Sequence, residues 1–309
     1  MLLRVDCEHP EAERWAGDAS LEARALPPLL ALLRVAGVSA TLAFVGRTAE
    51  RHPELVRAAV EAGHAIAGHS HTHARAYAGQ GLDWQIADLR AMRAAIAQAG
   101  GGNVRGLAPP CHGAVDAATL QAAGVAGLDY VLRLPAETEA GDGHVAGTPA
   151  PAPSTARGPQ GPTGTSFVPV DGPRSLLVPP AQMGWIWDWT PLQPGWPAFS
   201  AARATAEWQA AVDRAATGGA LLGFILHPWI MASNAPQGEA DAVAALLSYA
   251  RTKGARVETF DALATAARGA RPASSTTNTR PGIANGRANA RNGRGTPHER
   301  REGARGATA

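Results

Sequence analysis

Three groups of polar residues stand where apolar segments of the sequence end. An Asp-Cys-Glu segment occupies residues 6–8, a His-Ser-His-Thr-His segment occupies residues 69–73, and a single histidine follows the apolar residues 221–226. A carboxylate pair, a histidine pair and a distant third histidine are the parts from which metal-assisted hydrolases are built. The sequence therefore indicates hydrolytic chemistry at the ends of several strands.

The first two groups contain candidate metal ligands. Asp6 and Glu8 flank one residue, and on extended backbone residues two apart point to the same side. One of the two carboxylates can then bind a metal while the other accepts a proton. His69 and His73 are four residues apart, so on one helical turn they would present two imidazoles on the same face. That spacing suits a divalent metal ion.

The third group, His227, and a separate aspartate, Asp188, are candidates for proton transfer. His227 ends the most apolar strand predicted in the chain, which suggests a positioned acid or base. Asp188 lies among three tryptophans at positions 185, 187 and 189, where its carboxylate could hold an imidazole in one tautomer. The tryptophans could stack on a sugar ring, although tryptophans at such spacing are more often part of the core.

Strands and helices alternate through residues 2–263, which predicts βα units and a parallel sheet. About seven units fit a distorted (β/α) barrel, with a doubly wound open sheet as the alternative. Both folds form ligand sites beyond the carboxyl ends of their strands, where the three polar groups lie. Residues 136–173 are rich in Pro, Gly, Ala and Thr, so we expect a low-complexity insertion there, and we expect a last strand at residues 256–260.

Composition divides the 309 residues into a barrel domain at about 1–265 and a tail at 270–309 that we expect to be disordered. The tail from residue 271 holds eight Arg and two Glu, a net charge of +6. Because the whole chain has a formal charge of +2, the body carries a charge of −4. The body therefore gives no electrostatic reason to expect nucleic acid. We also expect no membrane span, no secretory signal and no disulfide framework, with the cytoplasm as the default location.

Together these motifs resemble the polysaccharide deacetylase family, carbohydrate esterase family four, and its chitooligosaccharide deacetylase-like members. The resemblance rests on Arg-Val-Asp-Cys-Glu at 4–8, the histidine motif at 69–73, Trp-Asp-Trp at 187–189 and Phe-Ile-Leu-His-Pro at 224–228. It implies hydrolysis of an amide, by deacetylation or deformylation, on an N-acylated sugar or a related small-molecule or glycan substrate. The oligomeric state is left open.

The resemblance also implies a role for each candidate residue. Asp6 would be the base and His227 the acid oriented by Asp188, and the metal ligands would be Glu8, His69 and His73. Zinc is the first choice for such ligands, with cobalt, nickel or manganese also accepted. The residues expected to contact the substrate or the reaction's oxyanion are Pro110, Cys111 through its backbone N–H, Trp187 and Trp189.

One position departs from the family pattern. Residue 108 is alanine where the family usually has an arginine that pairs with the base. We therefore expect the base to lack its usual cation, with His112 as the nearest candidate to replace it. Three rival functions stay open: a weakened or inactive metal- or carbohydrate-binding member, a metal-independent amidohydrolase acting on a ureide, and a nucleic-acid partner reached through the tail.

Overall fold

The structure is a computed structural model, and it describes residues 1–8, 21–74, 77–110, 115–132, 166–169, 175–178, 183–188 and 199–269. The expected tail lies outside these residues. So does most of the expected insertion. No helix among the described residues is long and apolar enough to cross a membrane.

Nine strands form one sheet, in the order β6-β7-β5-β4-β3-β2-β1-β9-β8. All neighbouring pairs are parallel except β6 with β7. The sheet curls into an incomplete barrel, which confirms the predicted fold class. The strands are β1 (Leu2–Cys7), β2 (Thr41–Phe44), β3 (Ala65–Gly68), β4 (Gly106–Leu107), β5 (Tyr130–Val131), β6 (Ser166–Pro169), β7 (Ser175–Val178), β8 (Gly184–Trp187) and β9 (Leu222–Leu226).

Nine α-helices are described between and after these strands. Helix α1 follows the carboxylates, and α4 follows the histidine pair. The helices are α1 (Leu21–Ala36), α2 (Gly46–Arg51), α3 (Pro53–Glu61), α4 (Leu82–Ile96), α5 (Ala117–Val125), α6 (Ala201–Gly218), α7 (Pro228–Ser233), α8 (Glu239–Thr252) and α9 (Phe260–Gly269).

Two details differ from the sequence predictions. A strand, β6, lies inside the expected insertion and pairs antiparallel with β7. Residues 256–260 do not form the expected last strand, because only Glu258 forms a bridge, to Leu2. Helix α9 already begins at Phe260, whose backbone N–H donates to Thr41 Oγ1 at 2.9 Å and not to a strand backbone.

The central strand β1 is buried along its whole length, and its side chains alternate between two environments. Leu3, Val5 and Cys7 belong to the large apolar core that also contains the buried faces of the helices. Arg4 and Asp6 point to the opposite, inner face, and Glu8 follows them at the same spacing. The core thus holds β1 rigidly while the inner face carries three charged residues in a row.

The inner face of the sheet is closed at its lower part by aromatic residues. The rings of Tyr130 and Phe260 stack with centroids 6.4 Å apart, and the Tyr130 hydroxyl donates to Asp261 at 2.7 Å. The Tyr130 ring lies directly against Gly106, where an added Cβ would come within 1.9 Å of it. Glycine at this position therefore lets the aromatic ring fill the barrel floor below the charged residues.

Candidate active site

The carboxyl ends of β1, β3, β8 and β9 bring the main sequence-predicted residues together. His69 Nε2 lies 2.9 Å from Glu8 Oε2 and 3.7 Å from Asp6 Oδ2. His227 Nε2 lies 3.8 Å from Asp6 Oδ2 and 3.7 Å from Glu8 Oε1. Because these side chains are almost fully buried, their charges interact in a medium that screens them poorly.

Glu8, His69 and His73 present three ligand atoms to one point. His73 Nε2 lies 2.8 Å from Glu8 Oε2 and 3.2 Å from His69 Nε2. His69 Nδ1 is 2.6 Å from the backbone oxygen of Ala108. A carbonyl can only accept, so Nδ1 carries the proton and, in the neutral ring, Nε2 turns a lone pair toward the Glu8 carboxylate.

When His69 is neutral, these two acceptors face each other at hydrogen-bond distance, and a proton or a metal ion between them would relieve their repulsion. The carbonyl that fixes the His69 tautomer is the outer contact that metal-binding histidines usually make. Burial raises the pKa of Glu8, but His73 and His227 outweigh that effect and hold it well below its ordinary value, so the carboxylate is ionised. The donor set therefore fits a divalent metal ion, which Glu8, His69 and His73 would hold.

The histidine pair is positioned by a tight loop and not by the expected helical turn. After β3 the backbone of Ser70 and of His73 has positive φ, 60° and 53°. Ser70 Oγ accepts a hydrogen bond from the His73 backbone N–H at 2.9 Å, which closes the loop. Two residues in this sparsely populated conformation cost about 1–3 kcal/mol each, a strain that is typical of binding sites.

Asp88 of α4 holds this loop, and the sequence interpretation missed it. Its carboxylate accepts the backbone N–H groups of His71 at 2.9 Å and Thr72 at 3.2 Å, and the Thr72 hydroxyl at 2.9 Å. No local motif marks this aspartate, because it lies on a helix surface and meets the loop only in the folded chain. It supplies the bonds that offset the strained backbone.

We expect Asp88→Ala to weaken zinc binding by about 10–100-fold, the usual range for residues that support metal ligands. The loop would lose three hydrogen bonds, and His73 would lose its fixed direction. Titration calorimetry with zinc measures the change. Asp83→Ala, on the same helix, is the control and should leave the affinity unchanged. Equal affinities in Asp88→Ala and wild type would contradict the role of this residue.

His227 is held by Asp188 through two contacts. Its Nδ1 lies 2.7 Å from Asp188 Oδ1, and its backbone N–H donates to Asp188 Oδ2. Burial lowers the pKa of His227, but the carboxylates of Asp188, Glu8 and Asp6 together outweigh burial, and the pKa rises to about 9. His227 therefore carries a proton at neutral pH and turns the Nε2–H group toward the two carboxylates of β1. That arrangement suits a proton donor.

Asp6 does have a cation, although residue 108 does not supply it. Arg4, two residues earlier on β1, donates from Nε to Asp6 Oδ1 and from Nη2 to Asp6 Oδ2, both at 2.6 Å. Burial raises the pKa of Asp6, but Arg4 leads the charges that outweigh it, and the pKa lies below its ordinary value. Ala108 contributes its carbonyl to His69, and His112 lies outside the described residues.

The expected substrate contacts are only partly described. Pro110 is buried at the end of the segment after β4, and its neighbour Pro109 accepts a hydrogen bond from Arg4 Nη2 at 3.3 Å. Cys111 and Trp189 lie outside the described residues. Trp187 belongs to β8, and its side chain is also outside the described part of the chain.

A further buried carboxyl group, Glu239, lies behind the Asp188–His227 pair. It is the first residue of α8, it is fully buried, and Asn234 Nδ2 donates to its Oε2. Burial, with a smaller contribution from Asp188, raises the pKa of Glu239 from 4.5 to about 9. Glu239 is therefore a neutral acid near pH 7, and the unfolded chain would release its proton.

We expect Glu239→Gln to stabilise the protein above pH 5. The folded-state pKa exceeds the unfolded one, so stability is fully present below about pH 4.5 and is lost as pH rises toward 9. At 1.36 kcal/mol per pH unit, the loss at pH 7 is at most about 3 kcal/mol. Glutamine cannot ionise, and its carbonyl can still accept from Asn234. The melting temperature of Glu239→Gln should exceed that of wild type by an amount that grows between pH 5 and pH 8.

The control for this prediction is Glu61→Gln, which removes an exposed carboxylate on α3. Its melting temperature should follow wild type at every pH. A constant gap between Glu239→Gln and wild type across the same pH range would show that Glu239 is not a buried neutral acid.

Comparisons with known proteins point to polysaccharide deacetylases. Residues 18–131 match the family model for polysaccharide deacetylases. No curated protein sequence matches the chain significantly. A polysaccharide deacetylase candidate from Mycobacterium smegmatis superposes with a TM-score of 0.63 at 20% identity, over 86% of this chain and 90% of that one.

A second candidate of the same description, from Pseudomonas aeruginosa PAO1, superposes with a TM-score of 0.64 at 16% identity, over 86% of this chain and 89% of that one. At these identities the likeness shows the fold, and the family model matches the part of the chain that begins after β1 and ends with β5. The resemblance carried by the motifs is thereby confirmed: residues 18–131 are similar to the polysaccharide deacetylase family, whose members are hydrolases of non-peptide carbon–nitrogen bonds.

Proposed function

We propose that this protein is a metal-dependent hydrolase that removes an acetyl or formyl group from the nitrogen of an N-acylated sugar or a related substrate. The observation that carries the proposal is the convergence of Glu8, His69 and His73 within hydrogen-bond distance of one another, with Asp6 and His227 less than 4 Å from the group. Both a metal-binding set and a base–acid pair therefore border one small volume.

The two remaining polar groups have complementary proton states. Asp6 is ionised beside Arg4 and can accept the proton of an attacking water. His227 is protonated beside Asp188 and can donate its Nε2 proton to the leaving amine. A divalent metal bound by the three ligands would supply the Lewis acid that polarises the acyl carbonyl.

Zinc is the metal we expect, because a carboxylate and two imidazoles with an open position suit it. Cobalt, nickel and manganese are alternatives that the same ligands accept. The substrate class is the less specific part of the proposal, since the side chains of Trp187 and Trp189 are outside the described residues.

Metal analysis and product release together test the proposal. The purified protein should bind one divalent metal per chain, and it should release acetate or formate from members of a panel of N-acetylated and N-formylated sugars. A chelator should abolish release, and zinc should restore it. Metal binding without release from any member would favour a binding protein. Release that survives chelation would favour a metal-independent amidohydrolase, and either result would overturn the proposal.

A further inference from the structure

Arg4 and Asp6 form a buried, two-pronged ion pair on the central strand. Arg4 is 2% exposed, and its Nε and Nη2 each donate to a different oxygen of Asp6 at 2.6 Å. Two parallel charge-assisted bonds fix the plane of a carboxylate as well as its position, which a single bond does not. The Asp6 side chain therefore has one orientation available to it.

The arginine is itself anchored by the fold. Its Cα lies on β1, which is paired with β2 on one side and β9 on the other, and its Nη2 also donates to the Pro109 carbonyl at 3.3 Å. The residues in register with Asp6 on the same face are Ala43 of β2 and, beyond it, Ala67 of β3. These small side chains leave the inner face beside the pair uncrowded.

The Arg4–Asp6 pair bears on whether Asp6 binds the metal or serves as the base. Two sets of three ligand atoms converge closely enough for a metal ion, Glu8 with His69 and His73, and Asp6 with Glu8 and His227. Both carboxylates lie within 4 Å of His69 Nε2. Glu8 belongs to both sets, so distance alone does not decide whether Asp6 joins it as a metal ligand or serves as the base.

The hydrogen bonds of Asp6 and Glu8 decide between these two roles. Each oxygen of Asp6 already takes a short bond from a guanidinium, so its negative charge is compensated and its orientation fixed. Glu8 has no arginine partner among the described residues, and its Oε2 faces two imidazole nitrogens. Glu8 is the carboxylate that can approach a cation without breaking an existing ion pair.

We propose that Arg4 is a positioning residue that assigns the two carboxylates their roles, by holding Asp6 as the base and keeping it from joining the metal ligands. The inference rests on the proposed function for the role of the base. Its consequence for metal binding does not, because it concerns only which side chains contact the ion. In the absence of Arg4, Asp6 becomes a free anion next to the metal set and competes for the ion.

Zinc affinity gives the first test, with zinc alone as the probe and titration calorimetry as the measurement. In wild type, Asp6→Asn should change the zinc Kd by less than about threefold. In the Arg4→Gln background, Asp6→Asn should weaken zinc binding by about tenfold or more, the size of effect that contacts around a metal site typically have. If Asp6→Asn has the same effect in both backgrounds, Arg4 does not assign the roles.

Kinetics on Arg4→Lys give the second test, because lysine keeps the charge but donates from a single point. We expect kcat to fall about 10–100-fold, KM to change by less than threefold, and the metal content to stay at one per chain, since misplacing a reacting group by about 1 Å can cost 10²-fold. On the Asp6→Asn background, Arg4→Lys should lower kcat no further. An equal loss on both backgrounds would show a structural role only.

A matched control exists just before the first residues of β4 and β5. Arg105 Nε donates to Asp129 Oδ2 at 2.8 Å, so it forms the same pair of residue types away from the site. Arg105→Lys should leave kcat and zinc affinity unchanged. If the wild type hydrolyses nothing, the proposed function fails, while the zinc experiment still decides the role of Arg4.

Discussion

Replacing Asp6 with asparagine is expected to lower kcat by about 10²–10⁴-fold and to leave the metal in place, since this is the usual contribution of a general base. Asparagine keeps the size of the side chain but cannot accept a proton from water. The metal stays because its expected ligands are Glu8, His69 and His73, and none of them depends on Asp6 for its orientation. Steady-state kinetics and elemental analysis of the same preparation measure both effects.

The substitution also leaves Arg4 with a neutral partner in a buried position. Removing one partner of a buried ion pair costs about 3–5 kcal/mol, so a fall in melting temperature is expected and must be measured separately. Kinetic assays should therefore be made well below the melting temperature of the variant. Folded protein with bound metal and no turnover is the expected state.

Glu8→Gln is the paired variant, because Glu8 is the other carboxylate of the motif. It should lose both the metal and the activity, since an amide is a poor ligand for zinc in place of a carboxylate. Loss of the metal from Asp6→Asn, with retention in Glu8→Gln, would show that the two carboxylates have exchanged roles.

The sequence predicted the architecture well because the alternation of apolar strands and helices is a local signal. β1 and β9 were recognisable as short, mostly apolar runs, and each is followed by a residue of the site, Glu8 after β1 and His227 after β9. The strand β6 was missed because it lies in a segment rich in Pro and Gly. Among the described strands it pairs with β7 alone. Residues 256–260 have strand-like composition, yet the sheet offers them a single bridge.

The site was harder to predict where long-range contacts determine the geometry. The spacing of His69 and His73 indicated a shared ligand, but the backbone between them is a strained loop held by Asp88, which lies on a helix 15 residues after His73 in the sequence. No spacing rule connects these residues. Only the folded chain brings the aspartate to the loop.

Arg4 illustrates the opposite case, since the signal was available in the sequence. Residues two apart on a strand share a face, so Arg4 must point to the same side as Asp6 whenever β1 forms. The family pattern directed attention to residue 108, and the alanine there suggested a missing cation. The cation instead reaches Asp6 from the same strand, with a bidentate geometry that does not require a residue from β4.

The second large effect is expected from the histidine pair. His69→Ala should weaken zinc binding by more than about 100-fold, beyond the 10–100-fold range that supporting residues account for. His69 is 1% exposed, its Nδ1 is fixed by the Ala108 carbonyl, and its Nε2 faces Glu8 at 2.9 Å. Hydrolysis should be lost with the metal.

His71→Ala is the matched control, because His71 lies between the two expected ligands on the same loop. Its Nε2 lies 3.9 Å from Glu50 Oε1, and it belongs to neither group of converging ligand atoms. Its backbone N–H still donates to Asp88 after the change, so the loop keeps this hydrogen bond. Zinc affinity in His71→Ala should therefore stay close to that of wild type.

Thermal stability gives a readout of this prediction that needs no substrate. A ligand that binds only the folded state stabilises it by about 2.7 kcal/mol when its concentration is 100 times the Kd. Added zinc should thus raise the melting temperature of wild type and of His71→Ala, and it should raise that of His69→Ala and His73→Ala far less. An equal rise in all four proteins would mean that zinc binds elsewhere, and the assignment of Glu8, His69 and His73 as its ligands would have to be abandoned.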